Sequence, residues 1–277
     1  MFPVEKMCRA LKVSRGGYYA WLGRPLSTRA EETERLIERI QQIHTESKGS
    51  YGSPRITDQL HDEGFFVSRA RVARLMKAIG LSAVSKRKFK VTTDSNHHYP
   101  VAPNLLERDF TVERPNSVWV SDITYIFTQA GWLYLTVIID LFNRMVVGWA
   151  MSSGMSAAET TIAALNHACG RYHPPEGLIF HSDRGVQYAC TNFKELLATY
   201  KMIQSMSAKG DCWDNAVAES FFATLKKEEV YRTHYQNRWQ ARQSIFSYIE
   251  IFYNRNRKHS FLGNKSPVQF TALKKAA

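Results

Sequence analysis

Between residues 117 and 151 three runs rich in β-branched and aromatic residues follow one another almost without a break: SVWVSDITYIF, WLYLTVIIDLF and MVVGWAM. Short turns containing Gly131 and Asn143 separate them. Such residues fit a pleated, half-buried surface, and links this short join strands only as a meander. The pattern then changes. A helical stretch is expected from about Ser156 to Tyr172, followed by a fourth strand, GLIFHSD, and a helix over about 191–201. A short strand, IQSMS, and a last helix from about Asp214 to Tyr231 complete the series. The order β-β-β-α-β-α-β-α predicts a mixed sheet covered by helices, an α/β architecture.

Three carboxylates stand out in this region. Asp122 lies in the first strand, on one face with Val120 and Thr124, where an unpaired acid is costly unless hydrogen bonds or a cation compensate it. Asp183 ends the fourth strand just before Gly185, the end at which α/β sheets commonly place ligands. Glu219 belongs to the last helix. At about 100° per residue, Val217, Phe221 and Leu225 form its apolar stripe, and Glu219, Ala223 and Lys226 fall opposite. Asp140, in IIDLF, is an equal candidate by composition. Three carboxylates suit phosphodiester chemistry, in which two divalent ions activate the attacking oxygen and stabilise the leaving one. Mg²⁺ prefers carboxylate and water to Cys or His. In that arrangement Asp122 bridges both ions, while Asp183 and Glu219 each complete one.

The charge is segregated around this centre. Residues 1–115 carry 20 Lys+Arg against 13 Asp+Glu, residues 116–231 carry 8 against 11, and residues 232–277 carry 9 against 1. A mildly acidic core between basic arms suits an enzyme that handles a polyanion. The overall net charge of +12 agrees. The chain therefore reads as four parts: a helical region (1–83), a basic linker (84–115), the α/β core (116–231) and a basic helical C-terminal arm (232–277). Within the first, a helix over 31–46 precedes two short helices, one from Ser53 or Pro54 through Leu60 and one from Arg69 to Ile79. Gly64 breaks the first, Ser68 caps the second and Gly80 ends it. This is a helix-turn-helix, and Arg69, Arg71, Arg74 and Lys77 on its second helix are candidate DNA contacts. The earlier segment MCRALKVSRGGYYAWL is another small helical unit, with Tyr18, Tyr19 and Trp21 expected as packing groups. Lys86, Arg87 and Lys88 in the linker are placed to lie along a phosphate backbone. Arg255, Arg257, Lys258 and His259, which follow a helical pattern over 238–254, are expected to grip phosphates.

Four stretches carry a resemblance: WVSDITYI, HSDRGVQY, SMSAKGDCWDNAVAESFFATLKKE and YNRNRKHSFLGNKSPVQF. Thirty-five residues, 184 to 218, separate Asp183 from Glu219. The chain resembles the downstream-frame (orfB-type) transposases of IS-three-type bacterial insertion sequences, relatives of retroviral integrases with a ribonuclease-H-like core. The likeness extends across the helix-turn-helix, YGSPRI to LMKAIGL. The resemblance implies that Asp122, Asp183 and Glu219 are the catalytic, metal-holding triad and that Asp140 is structural. It implies Mg²⁺ (with Mn²⁺ substituting), two ions per site. It places Lys226 beside DNA and gives Asn215 a part in positioning Glu219 or DNA. The family's text at 205–210 carries a basic residue where this chain has Ala208, leaving Lys209 as the remaining phosphate contact there. Val186 stands where a small polar residue is common. The implied partners are double-stranded DNA (the element's terminal inverted repeats and the target), a second copy of the chain on DNA, and an upstream-frame (orfA-type) protein or fusion.

Several classes are excluded or disfavoured. No apolar run reaches the roughly 18 residues of a membrane span, and the N-terminus shows no secretory pattern, so the cytoplasm is the expected home, with association to the nucleoid when DNA is bound. Cys8, Cys169, Cys190 and Cys212 form no C-x-x-C pair, which argues against a zinc ribbon or a disulfide framework. His167, Cys169 and His173 lack a second ligand pair for zinc. A DNA-binding regulator would leave the carboxylates unexplained, and a general nuclease of the same fold would leave the basic arms without a purpose.

Overall fold

The computed structural model describes residues 3–25, 27–83, 100–107, 109–208 and 215–276. The chain divides into two compact units, Met1–Glu46 with Tyr51–Ser82, and Ser47–Ser50 with Ala83–Ala277.

The first unit is helical. Helices α1 (Val4–Ala10) and α2 (Arg15–Leu22) precede α3 (Thr28–Glu46), α4 (Ser53–Asp62) and α5 (Arg69–Ala78). Leu36, Ile40 and Ile43 of α3 meet Ile56 and Leu60 of α4 and Val72 and Met76 of α5 in a buried core. The Ser68 hydroxyl accepts from the Arg71 N–H at 3.3 Å, capping α5 as its position requires. Gly64 (φ +85°) and Gly80 (φ +71°) end α4 and α5 in left-handed backbone. The rings of α2 depart from expectation. No residue of this helix is buried; Tyr19 is 52% and Trp21 65% exposed, and both lie against Tyr18, at 5.4 and 6.2 Å between ring centroids. A helix of eight residues cannot bury all its rings and pairs them with one another instead.

The second unit is built on a five-stranded sheet in the order β3-β2-β1-β4-β5, comprising β1 (Val118–Thr128), β2 (Gly131–Asp140), β3 (Val146–Ser152), β4 (Ile179–Ser182) and β5 (Ile203–Met206). β1 to β3 form the expected antiparallel meander, and β4 and β5 join parallel to β1. This is the ribonuclease-H-like arrangement, reached with the predicted order of elements and one added short helix. A π-turn (Ala158–Ile162) runs into α6 (Ala163–Tyr172), and α7 (Val186–Ala189) and α8 (Thr191–Thr199) link β4 to β5. These helices cover one face through Trp119, Ile138, Phe180, Tyr188 and Phe193. α9 (Ala216–Glu228) and α10 (Arg238–Phe246), continued by a π-turn (Ser247–Tyr253), bury Phe221, Phe222, Leu225, Ile245 and Tyr248. α11 (Pro267–Ala276) ends the chain.

The C-terminal segment is fastened to the meander. The Asn254 side chain brackets Val146, accepting from its N–H and donating to its carbonyl, both at 3.0 Å. Glu250 accepts from the Trp149 indole at 2.8 Å and pairs with Arg171 at 2.7 Å.

β3 and α6 approach so closely that a Cβ on Gly148 would stand 2.6 Å from both the Ala164 carbonyl oxygen and the Ala168 Cβ. Neither neighbour can rotate away. Gly148→Ala is therefore expected to destabilise this unit by about 1–3 kcal/mol, read as a lower melting temperature. An unchanged value would mean that the strand and helix separate without cost.

Candidate active site

β1 and β4 lie side by side in parallel, and their last paired residues are Ser121 and Ser182. The next residue of each is an aspartate. Asp122 and Asp183 thus leave neighbouring strands, about 4.8 Å apart, at the same end of the sheet. The Asp122 carboxylate accepts from the Ile123 N–H at 2.7 Å, and the Asp183 carboxylate from the Gly185 N–H at 2.9 Å. Glu219 comes from the first turn of α9. That helix is tied to β1 by Asn215, whose amide donates to the Ser121 carbonyl at 3.1 Å, one residue before Asp122.

Asp122 feels the other two acids. Burial pushes Asp122 well above the usual carboxylate range, and the charges of Asp183 and then Glu219 push it further; the Ile123 N–H and the Lys226 cation pull it back. Glu219 is also raised, by burial. Lys226 is lowered by burial, partly offset by Tyr125 and Asp122. Beneath the acids lies a polar floor. The Ser121 hydroxyl donates to the Val137 carbonyl and contacts the Tyr188 hydroxyl, both at 2.8 Å. Tyr188 is pushed well up by burial, then by Asp122 and Asp183. Under β4, His181 holds Ser205 at 2.8 Å and Ser207 at 3.3 Å. Tyr188 stands in the HSDRGVQY stretch, but no periodicity distinguishes a ring placed under two acids from any core tyrosine.

A like-charged, half-buried set of hard oxygen donors with one lysine for compensation fits a divalent cation. As the side chains stand, the described residues contain no trio of His, Cys, Asp or Glu drawn together as a closed ligand cage. Asp140 is placed otherwise. It is buried, accepts from the N–H groups of Asn116 and Phe142, both at 3.0 Å, and burial pushes it up to about 6. His167, considered for zinc, is hydrogen-bonded to the Trp149 backbone.

The expected DNA contacts divide. Arg69, Arg74 and Lys77 are exposed on α5 and Arg255 is exposed near the C-terminus, whereas Arg71 is half-buried and donates to Thr33 at 3.0 Å. Lys86, Arg87, Lys88 and Lys209 lie outside the described residues. Lys226 is half-buried above the Tyr125 ring. Three expectations are corrected. Arg257 and Lys258 are buried, Arg257 because Glu228 of α9 holds it in a two-pronged ion pair. Asn215 is buried too and faces β1 rather than solvent, so for this residue it is the DNA contact that is corrected and not a part in positioning Glu219.

Comparison with known proteins gives these features a context. The Integrase core domain family matches residues 112–212, a second Integrase core domain family matches 200–267, and the HTH-like domain family matches 31–89. The chain is 46% identical over 264 residues to the insertion element IS600 uncharacterized 31 kDa protein of Shigella sonnei, covering 95% of this chain and 97% of that protein. It is 42% identical over 271 residues to transposase InsF for insertion sequence IS3A of Escherichia coli strain K12, covering 97% and 94%. Among solved structures, a simian T-cell lymphotropic virus intasome in complex with PP2A regulatory subunit B56 gamma matches at 16% identity with a TM-score of 0.48, over 83% of this chain and 73% of that one.

Proposed function

Since this chain belongs to the transposases of IS3-type bacterial insertion sequences, an enzyme family that acts on DNA, we propose that it cleaves the 3′ ends of its element and joins them to target DNA at Asp122, Asp183 and Glu219. The observation that carries this reading is the placement of Asp122 and Asp183 just beyond the last paired residues of β1 and β4, with Glu219 in the first turn of α9, the helix that Asn215 ties to β1. The residues suit Mg²⁺, with Mn²⁺ as substitute, and Asp122, Asp183 and Glu219 would hold two such ions. When bound, the ions supply charge neutralisation at phosphorus and a lower pKa for the attacking water or hydroxyl.

The protein's own groups do the rest. Asp122 is oriented by the Ile123 N–H and Asp183 by the Gly185 N–H. Asn215 sets the start of α9, and with it Glu219, against β1. Lys226, beside Asp122, offers a cation to the DNA backbone. In the helical unit, Arg69, Arg74 and Lys77 provide the exposed basic face of α5 for the terminal repeats. A second copy on DNA, an upstream-frame protein or fusion, and a cytoplasmic home with nucleoid association when DNA is bound complete the reading. No helix among the described residues is long and apolar enough to cross a membrane.

The test is strand joining by the purified chain, with and without the upstream-frame protein, on a labelled element end with an exposed 3′-hydroxyl. Joining that needs Mg²⁺ or Mn²⁺ and is lost with EDTA or in Asp183→Asn is the expected result. Hydrolysis without joining would favour a nuclease. Binding with no metal-dependent chemistry would sink the catalytic assignment.

A further inference from the structure

We propose that Tyr125, Phe127 and Trp132 form a stacking ledge for an unpaired base at the reacting DNA end, an inference that rests on the carboxylate site proposed above. The three rings sit at the tip of the β1–β2 hairpin, with Phe127 directly across from Trp132 and Tyr125 two residues back along β1. Trp132 meets Tyr125 edge-on at 5.1 Å (87°) and Phe127 at 5.3 Å (73°). In spite of these contacts they remain 42%, 64% and 45% exposed for Tyr125, Phe127 and Trp132. Exposed apolar residues scattered singly are ordinary, but two rings gathered on a third make a patch of the kind that marks a binding surface.

The surroundings select the occupant. Lys226 stands over the Tyr125 ring, 5.3 Å from its centroid, and Arg238 crosses the hairpin turn, donating to the Trp132 carbonyl at 2.9 Å. Rings hemmed by cations match a nucleic acid, whose bases offer π-faces and whose backbone offers phosphate charge. Lys226 also links the ledge to the carboxylate site. β4 pairs with Val118–Ser121, so among the described strands none pairs with that edge of β1 from Asp122 onward. Lys226 reaches that edge from α9 and interacts with both Tyr125 and Asp122.

Alternation puts Tyr125 on the face opposite Asp122, and a DNA end that crosses that edge of β1 passes Lys226 on its way from one to the other. Asp122 and Tyr125 are three residue steps apart along β1, about 10 Å, or roughly three base steps at 3.4 Å. A base inside a duplex has both faces covered by its neighbours, the last pair exposes only its outer face, and only an unpaired base can turn out of the helix to follow the sheet edge. The ledge therefore takes a base freed from pairing within about three nucleotides of the reacting phosphate.

The experiment uses the full chain in EDTA, so that it reads binding and not chemistry. The probe is a duplex of the element end whose terminal nucleotides are unpaired and carry a single 2-aminopurine; the same duplex fully paired is the reference. Quenching of the 2-aminopurine on binding by the wild type is expected. Tyr125→Ala and Trp132→Ala should lose the quenching and bind the unpaired end about 10-fold more weakly, while binding the paired duplex as the wild type does. Trp132→Phe should retain both signals, as should Trp239→Ala, which removes an exposed ring elsewhere. Equal quenching and affinity in wild type and alanine variants would overturn the proposal. So would loss of self-association in the alanine variants, seen by sedimentation without DNA, if quenching were unchanged, since the rings would then be an interface between copies. Failure of metal-dependent joining would count against the carboxylate assignment alone, because this readout contains no metal.

Discussion

Asp122→Asn is expected to abolish strand joining and, at the same time, to raise the melting temperature of the metal-free protein. The two effects have one cause. Burial and the charges of Asp183 and Glu219 push the Asp122 carboxyl well above the usual range, so the fold favours its neutral form. A group raised in this way stabilises the fold below its unfolded pKa, and the contribution is lost as pH rises through the folded value. Neutral pH lies above the unfolded pKa, so the carboxyl costs the fold stability there, and an amide of nearly the same shape removes that cost. The amide oxygen can still accept from the Ile123 N–H, as the carboxylate does at 2.7 Å. Relief of about 1 kcal/mol would raise the melting temperature by about 2–4 °C. The cost falls on chemistry. An amide is a poor partner for a hard cation, and loss of about 4 kcal/mol of transition-state stabilisation lowers the rate about 10³-fold. Thermal denaturation in EDTA and the joining assay read the two sides. Adding Mg²⁺ should stabilise the wild type, by mass action on a folded-state site, and leave Asp122→Asn nearly unmoved. A variant that joins DNA, or that melts below the wild type in EDTA, would contradict the assignment of strain and function to the same carboxylate.

What could be read from the sequence was local. The meander announces itself because β-branched and aromatic runs with two short turns leave the backbone few options, and β1, β2 and β3 follow those runs. Ser68, Gly64 and Gly80 were legible as cap and breakers because their chemistry acts on their own backbone. What was missed depends on partners distant in sequence. RNRKHS reads as a basic surface, but Arg257 turns inward toward an acid 29 residues earlier. The acid left a trace: Phe221, Leu225 and Glu228 fall at i, i+4 and i+7, so Glu228 lies on the apolar stripe of α9 and needs a buried counter-charge. The stripe itself is wider than read. Ala218 and Phe222 are buried in it, whereas Val217 is only half-buried. For Asp122 and Asp183, the strand positions were legible, but their adjacency required the parallel register of β1 with β4, which no local pattern encodes.

Arg257→Ala is expected to destabilise the second unit by about 3–5 kcal/mol. The pair is closed to solvent, with side chains 8% and 7% exposed for Arg257 and Glu228. The guanidinium donates to both Glu228 oxygens at 2.9 Å, and the Tyr248 hydroxyl donates to the same carboxylate at 2.7 Å. Removing the arginine leaves a buried carboxylate with one neutral donor. Burial pulls the Arg257 pKa down, and the hydrogen bonds and charge of Glu228 more than reverse it, leaving it raised. The size of the loss measures desolvation of the survivor, not the worth of the pair, and a double variant separates the two. Glu228→Met with Arg257→Met leaves no unpaired charge, so it should recover much of the stability lost by either change alone, with a coupling of about 0.5–3 kcal/mol in the double-mutant cycle. Tyr248→Phe, which keeps the ion pair, should cost only about 1 kcal/mol. The consequence for function follows from position. Glu228 and Glu219 lie on the same helix, nine residues or about 13 Å apart, so the ion pair fastens the far end of the element that carries a proposed catalytic acid. Denaturation and DNA binding together distinguish this role from the one RNRKHS suggests at first sight. An arginine that grips phosphate would, when replaced, weaken DNA binding, flatten its salt dependence and leave the melting temperature alone. An arginine that anchors α9 would lower the melting temperature sharply and weaken DNA binding only where the fold begins to fail.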